Sequence, residues 1–318
     1  MTNILAALCT SATQLIIVRV LQAMAGAAIM VTIPAMIRDL FPREQIAKAL
    51  SSILMVMTVA PLAAPLMGGQ ILKFFGWQSL FIFLAIAAGL SLILAFVRVK
   101  ETLPEENRLM VSPVQLVLNY SNILKNREAI GCILCHSFFF GGMFAFISGS
   151  PFVYIELFGI PAEQYGLLFA INILAMGIAN MVNIRLVERF KLFTILRGGS
   201  LTASVCAALL LLNTVTGFGS LPGLMIPIAC YIACIGFTGP NSNALALSHF
   251  PKSAGTANAL AGALRFTSGG IASVLVGYFH DGTAIPMAAV MAGCGILSVA
   301  SLLLVKKEGE METPVPVG

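Results

Sequence analysis

Three groups of residues in this sequence have side chains and spacings that can do chemistry. The first is "CILCH" at 132–136, in which two residues separate Cys132 from Cys135 and His136 follows directly. That is the spacing that attaches c-type haem. The second is Arg19 with Gln22, a cation and an amide one helical turn apart in an apolar run. The third is scattered: Asn172, Asn180 and Asn183 in one apolar run, Tyr231, Asn241 and Asn243 in another, and Arg265 alone in a third. Amides, phenols and guanidinium groups bind small polar ligands, and they also bond helices to one another. Which role each takes depends on the elements that carry it.

Those elements are apolar. Of 318 residues 58% are hydrophobic and 10% charged, and the mean hydropathy is +0.96. A soluble domain carries about 25% charged residues, so this chain belongs in lipid. Runs long enough to span a bilayer, about 20 residues each, fall at 15–38, 47–72, 78–98, 129–155, 164–184, 198–216, 222–248, 256–279 and 285–305. Nine full transmembrane helices are therefore expected, preceded by an apolar stub at 1–10 that is too short to cross. A free terminus in mid-membrane is costly, so the chain reads as N-terminally truncated within a helix.

The net charge of +5 does not indicate a nucleic-acid partner, because the basic residues cluster between the apolar runs. Fifteen of the 18 fall in one alternating set of loops, from Arg38, Arg43 and Lys48 to Lys306 and Lys307. The other set holds only Lys73, while Arg19 and Arg265 lie within spans. The excess of Lys and Arg marks the cytoplasmic side, which also places the C-terminus there.

"CILCH" then falls a few residues inside the span at 129–155, near its cytoplasmic end, where haem attachment has no accessible oxidising loop. His136 reads first as a helix-packing or hydrogen-bonding residue, and the seven cysteines as small buried apolar groups. No cofactor and no metal is expected, nor does any residue set suggest an enzyme.

The polar stretch 99–127 reads as a cytoplasmic linker, with a short amphipathic helix at 113–124. It divides an incomplete bundle at 1–98 from a six-helix bundle at 128–305, and 306–318 is a polar tail. The two halves echo each other: "FPREQIAKAL" begins at Phe41 and "FPKSAGTANAL" at Phe250, both in cytoplasmic loops. Parallel repeats of this kind build two-halved transporters. Matching the halves leaves two helices and part of a third without an upstream counterpart.

Within the spans, "RVLQAMAGAA" sets Arg19 and Gln22 beside Ala23, Gly26 and Ala27, small residues that allow close helix approach. "APLMGG" at 64–69, preceded by Pro61, holds Pro65, Gly68 and Gly69; the prolines remove helical hydrogen bonds and the glycines admit a neighbour. "IRDLF" at 37–41, "KETL" at 100–103, "SPFVYIELFGI" at 150–160 and "GTANALAGAL" at 255–264 complete the set. Together these resemble the bicyclomycin-resistance-type (Bcr/CflA) drug efflux transporters of the major facilitator superfamily. The first resembles the fourth-helix R-x-x-Q-G motif, with Ala23 in place of glycine. The second resembles the fifth-helix G-P-x-x-G-G motif, with Ala64 replacing the first glycine. "NIRLVERFKLF" at 183–193 looks like the degenerate second-half copy of the superfamily's loop motif.

The resemblance implies an all-α polytopic membrane protein of two helical bundles, lacking its first two helices and part of the third. It implies proton-coupled export of small drugs or metabolites across the bacterial inner membrane by a monomer, with Pro61, Pro65, Gly68 and Gly69 at the conformational contact. The substrate or coupling pathway would include Arg19, Gln22, Asn172, Tyr231, Asn241 and Arg265. One departure stands out: no Asp or Glu lies in the middle of any span. The alternative is a non-transporting remnant of a truncated or mis-started transporter gene.

Overall fold

In lipid every backbone N–H and C=O must find a partner inside the protein, so apolar runs of this length fold as helices. The computed structural model describes residues 2–40, 56, 60, 63–64, 67–98, 113–250 and 253–305, leaving aside the side chains of 27–35, 38–39, 113–117, 119 and 163. These residues form helices and turns, without a strand among them. The protein is all-α. By contacts the chain divides into two units, Met1–Met110 with Ala162–Leu167, and Val111–Pro161 with Leu168–Gly318.

The first unit contains α1 (Thr2–Ala7), α2 (Ala12–Leu40) and α3 (Trp77–Arg98). Ser11 caps α2, and the Gln14 side chain reaches back to the residue before it. Ser11 Oγ accepts from Gln14 N at 3.3 Å, and the Gln14 side chain accepts from Thr10 N at 3.0 Å. Residues 67–75 are helical and stop at Gly76, whose φ of +77° suits glycine and whose N–H bonds Leu72 O at 3.1 Å. The α1 stub packs against both α2 and α3.

The second unit holds α4 (Pro113–Lys125), α5 (Arg127–Pro151), α6 (Ala162–Leu186) from Leu168 onward, α7 (Leu192–Thr216), α8 (Ser220–Ala233), α9 (Ile235–Ser248), α10 (Ala254–Tyr278) and α11 (Ile285–Ser301). The short helix expected at 113–124 is α4. Asn126 then caps α5 by accepting from Ala129 N at 3.0 Å. Central in this unit is α5, which packs against α10, α11, α9 and α4; α7 lies against α8, α9 and α11.

Seven helices among the described residues are long and apolar enough to cross a membrane. Two of the nine expected spans are not among these seven: 15–38, of which Ala12–Gly26 stands as a shorter apolar helix, and 47–72. The run at 47–72 falls mostly outside the described residues, as does "FPREQIAKAL". The stretch at 222–248 is a single span of 29 residues, Ser220–Ser248, but it breaks at Cys234 into α8 and α9. It carries Pro227 and Pro240, each without an N–H to donate. The carbonyl that Pro227 leaves unpaired is that of Gly223, and Asn213 Nδ2 on α7 donates to it at 2.7 Å. Pro151 has the corresponding effect at the end of α5. The helix continues over Phe152–Leu157 as a π turn, with Phe158 N bonding Val153 O five residues back at 3.1 Å.

Between apolar helices in lipid, packing and hydrogen bonds replace the hydrophobic effect as the source of association. Ile123, Cys132, Ile133, Cys135, Phe193, Leu196, Ala246, Ala257, Ala261, Leu302 and Val305 form one buried cluster joining α4, α5, α7, α9, α10 and the end of the last span. Higher along α5, Gly142 lies directly under the Tyr231 hydroxyl, where any Cβ would overlap it. Gly269 on α10 meets the Phe144 ring, 2.9 Å from where its Cβ would stand.

Candidate functional site

The residues of "CILCH" are helix wall. Cys132 is 2% exposed and Cys135 0%. Cys135 Sγ lies 3.0 Å from Ser200 Oγ and 3.3 Å from Ser298 Oγ, joining α5, α7 and α11. Ser298 Oγ also donates to Cys135 O at 2.8 Å, and Ser242 Oγ donates to Cys132 O at 2.7 Å. The two thiols are therefore packed among hydroxyls and helices, with no room for a haem vinyl group.

His136 is the tenth residue of α5, about 14 Å along the helix from Arg127 at about 1.5 Å per residue. Its imidazole is buried, with Nδ1 3.3 Å from Thr238 Oγ1 on α9. A Cβ at Gly239 would stand 3.2 Å from the ring, so glycine lets α9 approach here. Arg265 of α10 directly precedes Phe266, whose ring meets that of Phe140, one turn along α5 from His136. The Nε of Arg265 is buried, with no hydrogen-bond partner among the described residues.

Arg265 falls on the buried stripe of α10, one turn after Ala261 and one turn before Gly269. On α5, His136, Phe140 and Phe144 follow one another at single-turn spacing, with ring centroids 6.2 Å and 5.1 Å apart along the series. Phe266 meets Phe140 edge-on at 5.5 Å and Phe144 at 6.2 Å. A cation, an imidazole and three phenyl rings thus share one layer of the second unit. The four acidic residues described in that unit, Glu128, Glu156, Glu188 and Asp281, all lie at helix ends or in turns.

The other predicted residues have structural partners. Tyr231 is fully buried, stacks on Phe139 with centroids 4.3 Å apart, and donates from its hydroxyl to Phe139 O at 3.1 Å. Asn241 donates from Nδ2 to Asn183 Oδ1 and to Phe237 O, both at 2.7 Å, linking α9 to α6. Asn172 donates to Leu168 O of its own helix at 3.1 Å. Asn243 Nδ2 reaches Asn258 Oδ1 at 3.4 Å.

Arg19 and Gln22 belong to the first unit. Arg19 donates to Gln22 Oε1 at 3.2 Å and lies 4.9 Å over the Phe81 ring of α3; Gln22 donates to Asn3 Oδ1 of α1 at 2.5 Å. The pair is therefore a polar join between three helices. Among the described residues nothing comes within 4 Å of where a Cβ at Gly26 would be, and a Cβ at Gly68 would stand 3.9 Å from Leu80, an ordinary contact. Pro61 and Pro65 lie outside the described residues.

Sequence reasoning missed Thr238, the three aromatic rings and the Cys135–Ser200–Ser298 cluster. Phe140 and Phe144, spaced four apart from His136, carried a readable signal; their partners on other helices did not.

The comparisons with known proteins agree with this architecture. Residues 1–274 match the family model described as Major Facilitator Superfamily. The chain is 35% identical over 281 residues to the bicyclomycin resistance protein homolog of Haemophilus influenzae, covering 88% of this chain and 70% of that protein. It is 34% identical over 310 residues to the uncharacterized MFS-type transporter YdgK of Bacillus subtilis, covering 97% and 77%. The crystal structure of a D-xylose-proton symporter superposes with a TM-score of 0.66 at 18% identity, covering 95% of this chain and 77% of that one. At that identity the likeness speaks for the fold. The chain is a multi-pass membrane transporter and belongs to the major facilitator superfamily.

Proposed function

We propose that this transporter exports small drugs or metabolites across the bacterial inner membrane in exchange for protons. The observation that carries the reading is the 35% identity to a bicyclomycin resistance protein homolog over 281 residues. The second unit supports it with a cation and hydrogen-bonding groups deep in its spans, where ionisable residues are costly and mark pathways. In this reading Arg265 contacts substrate. Asn172, Tyr231 and Asn241 shape the pathway through the helices they join, and Arg19 with Gln22 positions the first-unit helices. Pro61, Pro65, Gly68 and Gly69 act in the conformational change. The molecule works as a monomer, with the segment 99–127 as a linker and the C-terminus in the cytoplasm, a placement that the distribution of basic residues supports.

The test is drug accumulation in cells stripped of their own exporters. Cells expressing the full chain should accumulate less bicyclomycin than controls at matched membrane levels, and a protonophore should erase the difference. Accumulation equal to that of controls would favour the remnant reading. A reporter fused after Lys307 should behave as cytoplasmic; periplasmic activity would overturn the orientation.

A further inference from the structure

The second unit draws a half-buried cation, Arg265, into its spans, and no described residue supplies its counter-charge. Arg265 is the twelfth of 25 residues in α10, so about 16 Å of helix separates it from the nearer end. The packing register brings it against α5. Ser268 stands over Gly141, where a Cβ would crowd its Oγ and lie 3.2 Å from its carbonyl oxygen, and Ser273 Oγ donates to Phe144 O at 3.4 Å. One turn back along both helices, Arg265 comes opposite the residues beside His136. What α9 adds to this layer is Thr238 and Gly239, neither of them anionic. Among the described residues no carboxylate is paired with Arg265, and its Nε has no hydrogen-bond partner.

A guanidinium in mid-membrane costs at least about 2.5–3.5 kcal/mol unless it is paired or hydrated. Its planar fork suits a carboxylate, whose two oxygens accept a pair of parallel hydrogen bonds from it. Beside it stands an aromatic shelf: Phe266 is 64% exposed while its ring packs edge-on against Phe140 and Phe144, which leaves a ring face uncovered.

We propose that Arg265 and the shelf of Phe140, Phe144 and Phe266 form a subsite for a small aromatic monoanion, an arene carboxylate being the simplest case. The carboxylate supplies the counter-charge of Arg265, and the ring lies on the phenyl shelf. This rests on the exporter reading and names a substrate class for it. A neutral aromatic satisfies the shelf but not the cation, and a small aliphatic anion the reverse.

The test uses the purified full chain in nanodiscs and equilibrium dialysis with three labelled probes: benzoate, benzamide and acetate. Benzoate should bind with a dissociation constant of about 1 mM or tighter, and benzamide and acetate each about tenfold more weakly. Arg265→Gln should bring benzoate down to the level of benzamide. Arg265→Lys should retain part of the preference, and Phe266→Ala should weaken benzoate while preserving its advantage over benzamide. Equal binding of benzoate and benzamide by the unaltered protein would overturn the proposal, as would undetectable benzoate binding or an unchanged preference in Arg265→Gln. Should Arg265→Gln fail to fold, the comparison of the three probes on the unaltered chain decides alone. Binding requires no transport, so the two readings separate. Arg265-dependent benzoate binding without drug export would sink the exporter and keep the subsite; export without a benzoate preference would do the opposite.

Discussion

Helices α3 and α5 have similar compositions and opposite surroundings. Both are long apolar spans, and α3 is the more hydropathic, yet 6% of its most apolar stretch is buried within the protein against 61% for the span that begins with α5. Phe96 near the end of α3 is 89% exposed, whereas Phe139 on α5 is 0% exposed. Apolar character therefore commits a segment to the membrane without saying whether protein or lipid covers it. What distinguishes α5 is its small and polar residues, Gly141, Gly142, Cys135, His136 and Ser137, which accept neighbours closely and bond to them. The same difference separates the two cations. Arg19 has an amide and a ring beside it, while the Nε of Arg265 is buried with no hydrogen-bond partner among the described residues.

The largest effect should come from filling the closest approach. Gly142→Ala puts a methyl into the Tyr231 hydroxyl, and overpacking of this kind costs about 1–3 kcal/mol. The thermal midpoint of the detergent-solubilised protein should fall by many degrees, and adding Tyr231→Phe should restore part of the loss. A second change that deepens the loss would show that the hydroxyl is not the clashing group.

Next comes Cys135→Ala, which removes the partner that Ser200 Oγ finds at 3.0 Å and leaves a buried hydroxyl unbonded, at about 1–2 kcal/mol. Cys135→Ser keeps a bonding group and should recover most of the midpoint. Equal losses in the two variants would mean that volume, not hydrogen bonding, matters at this join.

A smaller effect is expected at Asn213. Its replacement by Ala strands the Gly223 carbonyl freed by Pro227, and helix-to-helix hydrogen bonds in membranes average about 0.6 kcal/mol. Hydrogen exchange should rise locally in α8 while the global midpoint hardly moves. Unchanged exchange there would indicate that the carbonyl finds another donor.

Smallest of all is Phe96→Ala, which should lie within about 0.5 kcal/mol of the unaltered protein because its ring touches little else. A loss comparable to that of Gly142→Ala would erase the contrast between the two helices.

Membrane residence, helical class and most span positions were legible in one dimension, since a run of about 20 apolar residues has few alternatives in lipid. The amphipathic helix at Pro113–Lys125 was likewise local, as was the burial of Cys132 and Cys135. Arg265 was legible as an oddity, because a lone cation in an apolar run stands out by its type alone. Its surroundings were not. Nothing near residue 265 signals that Phe140 and Phe144 meet Phe266 beside it, or that no described carboxylate is paired with it. Tyr231 shows the same limit from the other side. Its type suggested a pathway residue, while the fold pairs its hydroxyl with Phe139 O and fits it over Gly142. Hydropathy and helix length depend on each residue's own transfer energy and its near neighbours, and a sequence displays both. Whether a polar side chain is consumed by packing or left for a ligand depends on helices 90 or more residues away, and only the tertiary structure decides which of them arrive.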